Sequence, residues 1–244
     1  MVANPELAIV IPAFEEERRL GASLDRICGY LESRGVAAEV IVVDDGSLDS
    51  TAQVAASFAA RGVRLVRLPE NHGKGAAVRA GLLETSARRV LISDADLSTP
   101  IEELASLEVA AVDAELAIGS RSVATSRVEV PQAILRELAG KAFNRLVRLG
   151  GVRGLADTQC GFKLLDGEVA RELARDLVVD RFAWDVELIW LARRRGYRVA
   201  EVGVVWRNDP ASKVHFLRDS ARMAIDLIRL RWRHRHEPPA RRRR

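Results

Sequence analysis

Four short apolar runs punctuate the first half of the chain: Leu7-Ala8-Ile9-Val10-Ile11, Val40-Ile41-Val42-Val43, Val90-Leu91-Ile92 and Leu116-Ala117-Ile118. Each is too short for a helix and too continuously apolar for a strand with one wet face, so they predict strands buried on both sides. Residues 63–68 supply a further strand. Between the runs the spacing changes. Leu20, Leu24, Ile27 and Leu31 recur every three or four residues and predict a helix. A second helix is expected from about Ser50 to Ala60, burying Val54 and Phe58, and a third over Ala76–Glu84. Thr99, Pro100 and Glu102 stand where an N-cap, a first helical residue and the far side of a capping box would stand, predicting a helix that starts there. Trp184 begins another helix, with Trp184, Leu188 and Leu191 inward. Strand and helix alternate through short connections, which predicts an α/β chain: a doubly wound, mostly parallel sheet flanked by helices.

Two of the strands run into carboxylates. Val90-Leu91-Ile92-Ser93 leads into Asp94-Ala95-Asp96, and Val40–Val43 into Asp44-Asp45-Gly46-Ser47. The carboxyl edge of an open α/β sheet is where ligands bind, and paired hard oxygens suit Mg²⁺ or Mn²⁺ carrying a diphosphate. Asp96 is the first choice for direct metal contact, with Asp94 either nearer a ribose or completing the metal shell. With fifteen aspartates in 244 residues, about one such pair arises by chance, so the pair takes its meaning from context. The turn after the first strand, Pro12-Ala13-Phe14-Glu15, has no glycine to let backbone approach a pyrophosphate, which disfavours dinucleotide chemistry. His72-Gly73-Lys74-Gly75-Ala76 lacks the spacing that cradles triphosphates, although Lys74 between two glycines can approach a phosphate or sugar. Arg121, at a strand end, and Arg136, on an expected helix, can receive a phosphate through charge-assisted hydrogen bonds. The histidines gather into no site.

Length and composition suit one large soluble domain. The first strand starts by Leu7, leaving no room for a signal peptide, and no apolar run approaches the ~20 residues that span a bilayer. A cytoplasmic location is therefore expected. Cys28 and Cys160, far apart and outside any Cys-x-x-Cys pattern, read as free buried thiols. The net charge of +4 conceals an asymmetry: residues 213–244 hold eleven Lys/Arg against three acids, while residues 1–212 hold 27 basic and 31 acidic groups. The basic character belongs to the tail. There Val214, Leu217, Ala221, Ile225 and Ile228 recur at helical spacing with Arg218, Arg222, Arg229 and Arg233 beside them, and Arg241–Arg244 close the sequence. The expected organisation is a domain over 1–212, an amphipathic basic C-terminal helix over 213–236 and a disordered Arg-rich stretch over 237–244. Such a helix suits an anionic membrane surface, or packs its apolar stripe on the domain. Nucleic acid is not expected, since no aromatic-basic interleaving accompanies the charge.

Ile11-Pro12-Ala13-Phe14-Glu15-Glu16, Val43-Asp44-Asp45-Gly46-Ser47, Asn71-His72-Gly73-Lys74-Gly75 and Asp94-Ala95-Asp96 occur in the order and at about the spacing of inverting family 2 glycosyltransferases of the GT-A fold, a Rossmann-like single domain. Gly119-Ser120-Arg121, Asp157–Lys163 and Arg181–Leu188 resemble the dolichyl-phosphate β-glucosyltransferase branch and its bacterial polyprenyl-phosphate relatives. The resemblance spans about residues 7–216. Two departures are Glu15, where the family usually has Asn, and the lack of the membrane-spanning anchor many members carry.

The resemblance implies that Pro12, Ala13, Phe14, Glu16 and Asp44 hold the base and ribose of a sugar nucleotide, while Asp45 is expected to brace the Gly46-Ser47 turn. It places Lys213 in a loop that closes over the donor diphosphate and Asp157-Thr158-Gln159 on the acceptor face. Asp185 falls where members acting on hydroxyl acceptors keep a catalytic base, and it is equally a helix-start acid. The implied activity is metal-dependent transfer of a hexose, foremost glucose from UDP-glucose, to a polyprenyl or dolichyl phosphate by a peripheral enzyme on the cytoplasmic membrane face. The alternatives are a GDP-mannose donor or a soluble enzyme with a hydroxyl acceptor, for which Asp185 or Asp157 would be the base.

Overall fold

The computed structural model describes residues 5–130, 152, 154–207, 226, 230 and 232–234. In chain order the elements are β1 (Leu7–Ala13), α1 (Leu20–Arg34), β2 (Ala38–Asp44), α2 (Thr51–Ser57), β3 (Val63–Arg67), α3 (Lys74–Leu83), β4 (Arg89–Ile92), α4 (Leu104–Ala110), β5 (Leu116–Ser120), β6 (Arg127–Val130), β7 (Lys163–Asp166), α5 (Gly167–Asp176), α6 (Trp184–Arg194), β8 (Val199–Gly203) and β9 (Val205–Arg207). The apolar runs become strands because only burial on both faces satisfies them. Along β1, Ala8 and Val10 face one core with α3, α5 and α6, while Leu7, Ile9 and Ile11 face another with α1 and α4. Every residue of β1 is buried. The α1 stripe of Leu20, Leu24, Ile27 and Leu31 packs inward as its spacing predicts, and the helix ends at Gly35 in the left-handed conformation.

Seven strands form one sheet in the order β3-β2-β1-β4-β7-β5-β8, and β6 pairs with β9 in a small separate one. Strands β1 to β4 are mutually parallel, β7 runs antiparallel between β4 and β5, and β8 is parallel to β5. The chain steps outward from β1 through β2 to β3, then returns so that β4 lies on the other side of β1. The carboxyl ends of β1 and β4 therefore part at a topological switch point, where the layout of helices leaves a crevice. Strand β7 pairs Lys163 with Ile92, so the segment before it, Asp157–Phe162, is delivered to the same edge.

One local expectation fails. Thr99 caps nothing: Pro100 is extended (φ −58, ψ 144), a single 3-10 turn follows at Ile101–Glu103, and α4 starts at Leu104. Tertiary partners have taken the capping groups. The Thr99 hydroxyl lies 3.7 Å from Cys160 Sγ, and Glu102 pairs with Arg26 on α1 at 2.9 Å. Among the described residues no helix is long and apolar enough to cross a membrane. Most of the expected C-terminal helix and all of 237–244 lie outside the described residues.

Candidate active site

At the switch point lies a cleft of about 630 Å³. The end of β1 contributes Pro12 and Ala13 and the turn after it Phe14 and Glu16; the turn after β4 contributes Asp94 and Asp96; α3 begins on it with Lys74. These seven sequence-predicted residues thus meet in one place. They are joined by Arg19, Asp45, Asn71, Arg181 and Phe182, none of which was assigned a binding or catalytic role from sequence.

The turn after β1 is tied down from behind. Glu15 N–H donates to Ser47 Oγ at 2.9 Å and Glu16 N–H to Thr51 Oγ1 at 2.7 Å. Glu15 itself sits at φ +52, a left-handed conformation that strains Glu but is tolerated by the Asn usual in the family, whose short polar side chain can hydrogen-bond locally. Glu16 does more than decorate a helix start. Arg19 grips its carboxylate at 2.8 and 2.6 Å and also lies 3.7 Å from Asp96 Oδ2, linking the β1 turn to the β4 turn. Asp44, the last residue of β2, and Asp45, the next, do not divide their work as expected. Asp44 is fully buried, accepts the Ser47 N–H at 3.0 Å, and has Arg67 3.2 Å from its other oxygen, close enough to pair but not aligned for a hydrogen bond. Asp45 lines the cleft and braces the neighbouring loop, accepting from Asn71 Nδ2 (3.0 Å), His72 N–H (2.9 Å) and Gly73 N–H (2.8 Å). The turn brace is Asp44.

Asp94 accepts a hydrogen bond from the Lys74 ammonium. Burial alone would raise its pKa, but Lys74, helped by Lys163 and Arg121, outweighs burial and holds the carboxyl below the usual range. The Lys74 ammonium is correspondingly held charged. A Cβ on Gly161 would stand 2.4 Å from both Asp94 oxygens, so only glycine lets the backbone pass that close. Asp96 is pushed the other way, by burial first and then by the neighbouring Asp94 charge, against the N–H of Ser98, which donates to it at 2.9 Å. That bond is set by Leu97, at φ +47. Two adjacent carboxylates, one raised by the other's charge, form a donor set that fits a hard divalent cation. Among the described residues no three His, Cys, Asp or Glu groups form a metal cluster. Mg²⁺ or Mn²⁺ would complete its shell with water and substrate phosphate.

Beside the cleft lie two ion pairs, one buried and one with its guanidinium partly exposed. Arg121 and Asp157 form a bidentate pair at 2.6 and 2.9 Å, strengthened by the Arg121 N–H at 3.1 Å and by the Trp206 ring, 5.5 Å from the guanidinium. Burial raises the Asp157 pKa less than Arg121 lowers it, so the carboxyl lies below its ordinary value. Lys163, fully buried, donates to Asp185 and to the Cys160 carbonyl oxygen beneath the Trp184 ring. For Asp185 burial wins over Lys163 and Lys74, and its pKa is raised. Neither Asp157 nor Asp185 is a free carboxylate facing open solvent. Arg136 and Lys213 lie outside the described residues.

The sequence and the fold have counterparts in known proteins. The family model described as Glycosyl transferase family 2 matches residues 8–163. The chain belongs to that family. This glycosyltransferase is 38% identical over 239 residues to the dolichyl-phosphate beta-glucosyltransferase of Drosophila melanogaster, covering 91% of this chain and 73% of the relative. It is 34% identical over 245 residues to the enzyme of the same name from Homo sapiens, covering 94% and 76%. Among solved structures it is similar to mannosyl-3-phosphoglycerate synthase from Rubrobacter xylanophilus (TM-score 0.69, 22% identity, 96% of this chain and 75% of that one). It is also similar to glucosyl-3-phosphoglycerate synthase from Mycobacterium tuberculosis in complex with Mn²⁺ and UDP-glucose (TM-score 0.65, 23% identity, 95% and 79%). These neighbours establish the GT-A fold.

Proposed function

We propose that this glycosyltransferase transfers glucose from UDP-glucose to a polyprenyl phosphate, with inversion, at the cytoplasmic surface of a membrane. The observation that carries the acceptor assignment is the fate of the two candidate bases. Asp157 is locked to Arg121 and Asp185 to Lys163, so neither is presented to an acceptor hydroxyl. A phosphate acceptor needs no such base, because it is already anionic near neutral pH. The name of the relatives supports the same acceptor class.

In this mechanism the base and ribose lie along Pro12–Phe14, Glu16 and Asp45, and the diphosphate faces Lys74 and Arg19. Asp94 and Asp96 would hold Mg²⁺ or Mn²⁺, which when bound offsets the negative charge of the diphosphate; a structural neighbour was crystallised with Mn²⁺ and UDP-glucose. Arg121, with Arg136, orients the acceptor phosphate. An oxygen of that phosphate attacks the anomeric carbon opposite the leaving group, forming the new C–O bond as the bond to the nucleoside diphosphate breaks. By the family resemblance Lys213 would contact the donor diphosphate, and the basic stretch after it would hold the enzyme against anionic lipid.

The test is a panel of radiolabelled UDP- and GDP-sugars with polyprenyl phosphate and either metal, scored by label entering the organic phase. UDP-glucose should give the highest transfer and Asp96→Ala should abolish it. Transfer only to a soluble acceptor, or full activity in Asp96→Ala, would overturn the assignment.

A further inference from the structure

Glu187 lies in the first turn of α6, is fully buried and does not line the cleft. One of its carboxylate oxygens accepts the backbone N–H groups of Val178 at 3.0 Å and Val179 at 2.8 Å. The other lies 2.7 Å from His234 Nε2, 47 positions later. A carboxylate has no proton to give, so His234 carries one on Nε2 and donates it. The imidazole packs on Trp190 with ring centroids 5.5 Å apart, and His234 N–H donates to Leu230 O at 3.0 Å. Leu230 and His234 are buried while Trp232 between them is 66% exposed. Among the described residues, Leu230 and His234 thus anchor the C-terminal stretch on the domain.

From Val178 and Val179 the backbone runs directly into Asp180, Arg181 and Phe182. Its other side is pressed on α3. Ala76 N–H donates to Asp180 O at 3.1 Å, and Arg79 binds the Leu177 carbonyl and the Asp180 carboxylate, each at 3.0 Å. A Cβ on Gly75 would be 2.1 Å from Val179 O, and one on Gly73 2.5 Å from Asp180 O, so the loop has no room to move toward the helix. Arg181 and Phe182 then form the cleft wall with Lys74 and Asp94.

We propose that Glu187 is a positioning residue: held by His234, it fixes the Val178–Phe182 loop against α3 and thereby couples docking of the C-terminal stretch to donor binding. This rests on the cleft being the sugar-nucleotide site. Losing the His234 donor leaves one buried carboxylate oxygen unsatisfied and frees Glu187 to turn from the loop.

The experiment uses the full chain. His234→Leu keeps an apolar body against Trp190 without the donor, His234→Asn is a second, shorter disruption should the first not fold, and His234→Gln keeps a donor. Amide hydrogen exchange of 178–182 and steady-state kinetics with UDP-glucose are measured together. The disrupting variants should speed that exchange and raise the donor KM about three- to tenfold with kcat within about twofold, and His234→Gln should restore both. A lowered Tm with exchange and KM unchanged overturns the proposal, as does faster exchange with unchanged KM. If the wild-type chain uses no sugar nucleotide, the cleft assignment has failed, and unchanged exchange in the variants would show the linkage false independently.

Discussion

Removing Lys163 tests whether Asp185 acts as a counter-ion or as a base. The two side chains are 0% and 7% exposed, the ammonium sits 5.2 Å from the centre of the Trp184 ring, and no water layer separates the pair. Lys163→Met leaves Asp185 as an uncompensated carboxyl in a buried site, which costs about 3–5 kcal/mol. For a chain of this size that lowers Tm by about 6–20 °C. Asp185→Leu strands the ammonium and should cost a similar amount, whereas the double replacement Lys163→Met/Asp185→Leu should cost less than either single change, because no charge is left behind. Thermal and urea denaturation at pH 7 close the cycle. Asp185→Asn keeps an oxygen for Lys163 and should lower kcat with polyprenyl phosphate by less than about tenfold, where loss of a general base costs about 10²–10⁴. Additive single and double costs, or a thousandfold fall in kcat, would refute the reasoning.

Three further outcomes are expected. Glu15→Asn relieves the left-handed strain at φ +52 and should raise stability by about 0.5–1.5 kcal/mol, read as an increase of about 1–6 °C in Tm; an unchanged or lower Tm would count against strain there. Asp157 has a folded pKa below its ordinary 3.8 because Arg121 outweighs burial, so its stabilisation is complete at neutral pH. It should fade as pH falls below about 4 and on through the lower folded value, giving the wild type a steeper acid loss than Asp157→Asn in urea titrations; equal slopes would exclude the pair as a source. Deleting 237–244, which removes Arg241–Arg244, should weaken co-sedimentation with anionic vesicles by more than about tenfold at low salt, at about 1 kcal/mol per arginine. Undiminished binding would place the membrane contact elsewhere.

Which parts were legible in the sequence follows from how local their causes are. Strands β1, β2, β4 and β5 announce themselves because burial on both faces forces continuous apolar runs, and α1 because one buried stripe forces its period. Strand β7 is hidden: it begins with Lys163, a residue whose burial is tolerable only because Asp185 arrives 22 positions later. The same non-locality exchanged Asp44 and Asp45, which adjacent positions cannot distinguish until Asn71–Gly73 folds back on the second of them. It also dissolved the expected capping box, since Cys160 and Arg26 claimed Thr99 and Glu102. Arg19 had a local clue, three positions after Glu16 in the turn that leads into α1, whereas nothing near His234 in the chain points to Glu187.

The salt bridge between Arg121 and Asp157 closes a neck. Residue 121 leaves the ligand edge of the sheet at the end of β5, and residue 157 returns to that edge ahead of β7, 36 positions later. The pair holds the two ends of that interval together in the folded state, and among its described residues β6 pairs with β9 while Val152 and Leu155 pack in the core. The cleft, by contrast, stands mainly on the carboxyl ends of β1, β2 and β4 and the start of α3. Opening that neck would loosen residues 154–162 ahead of β7 and leave the register of β1 to β4 in place.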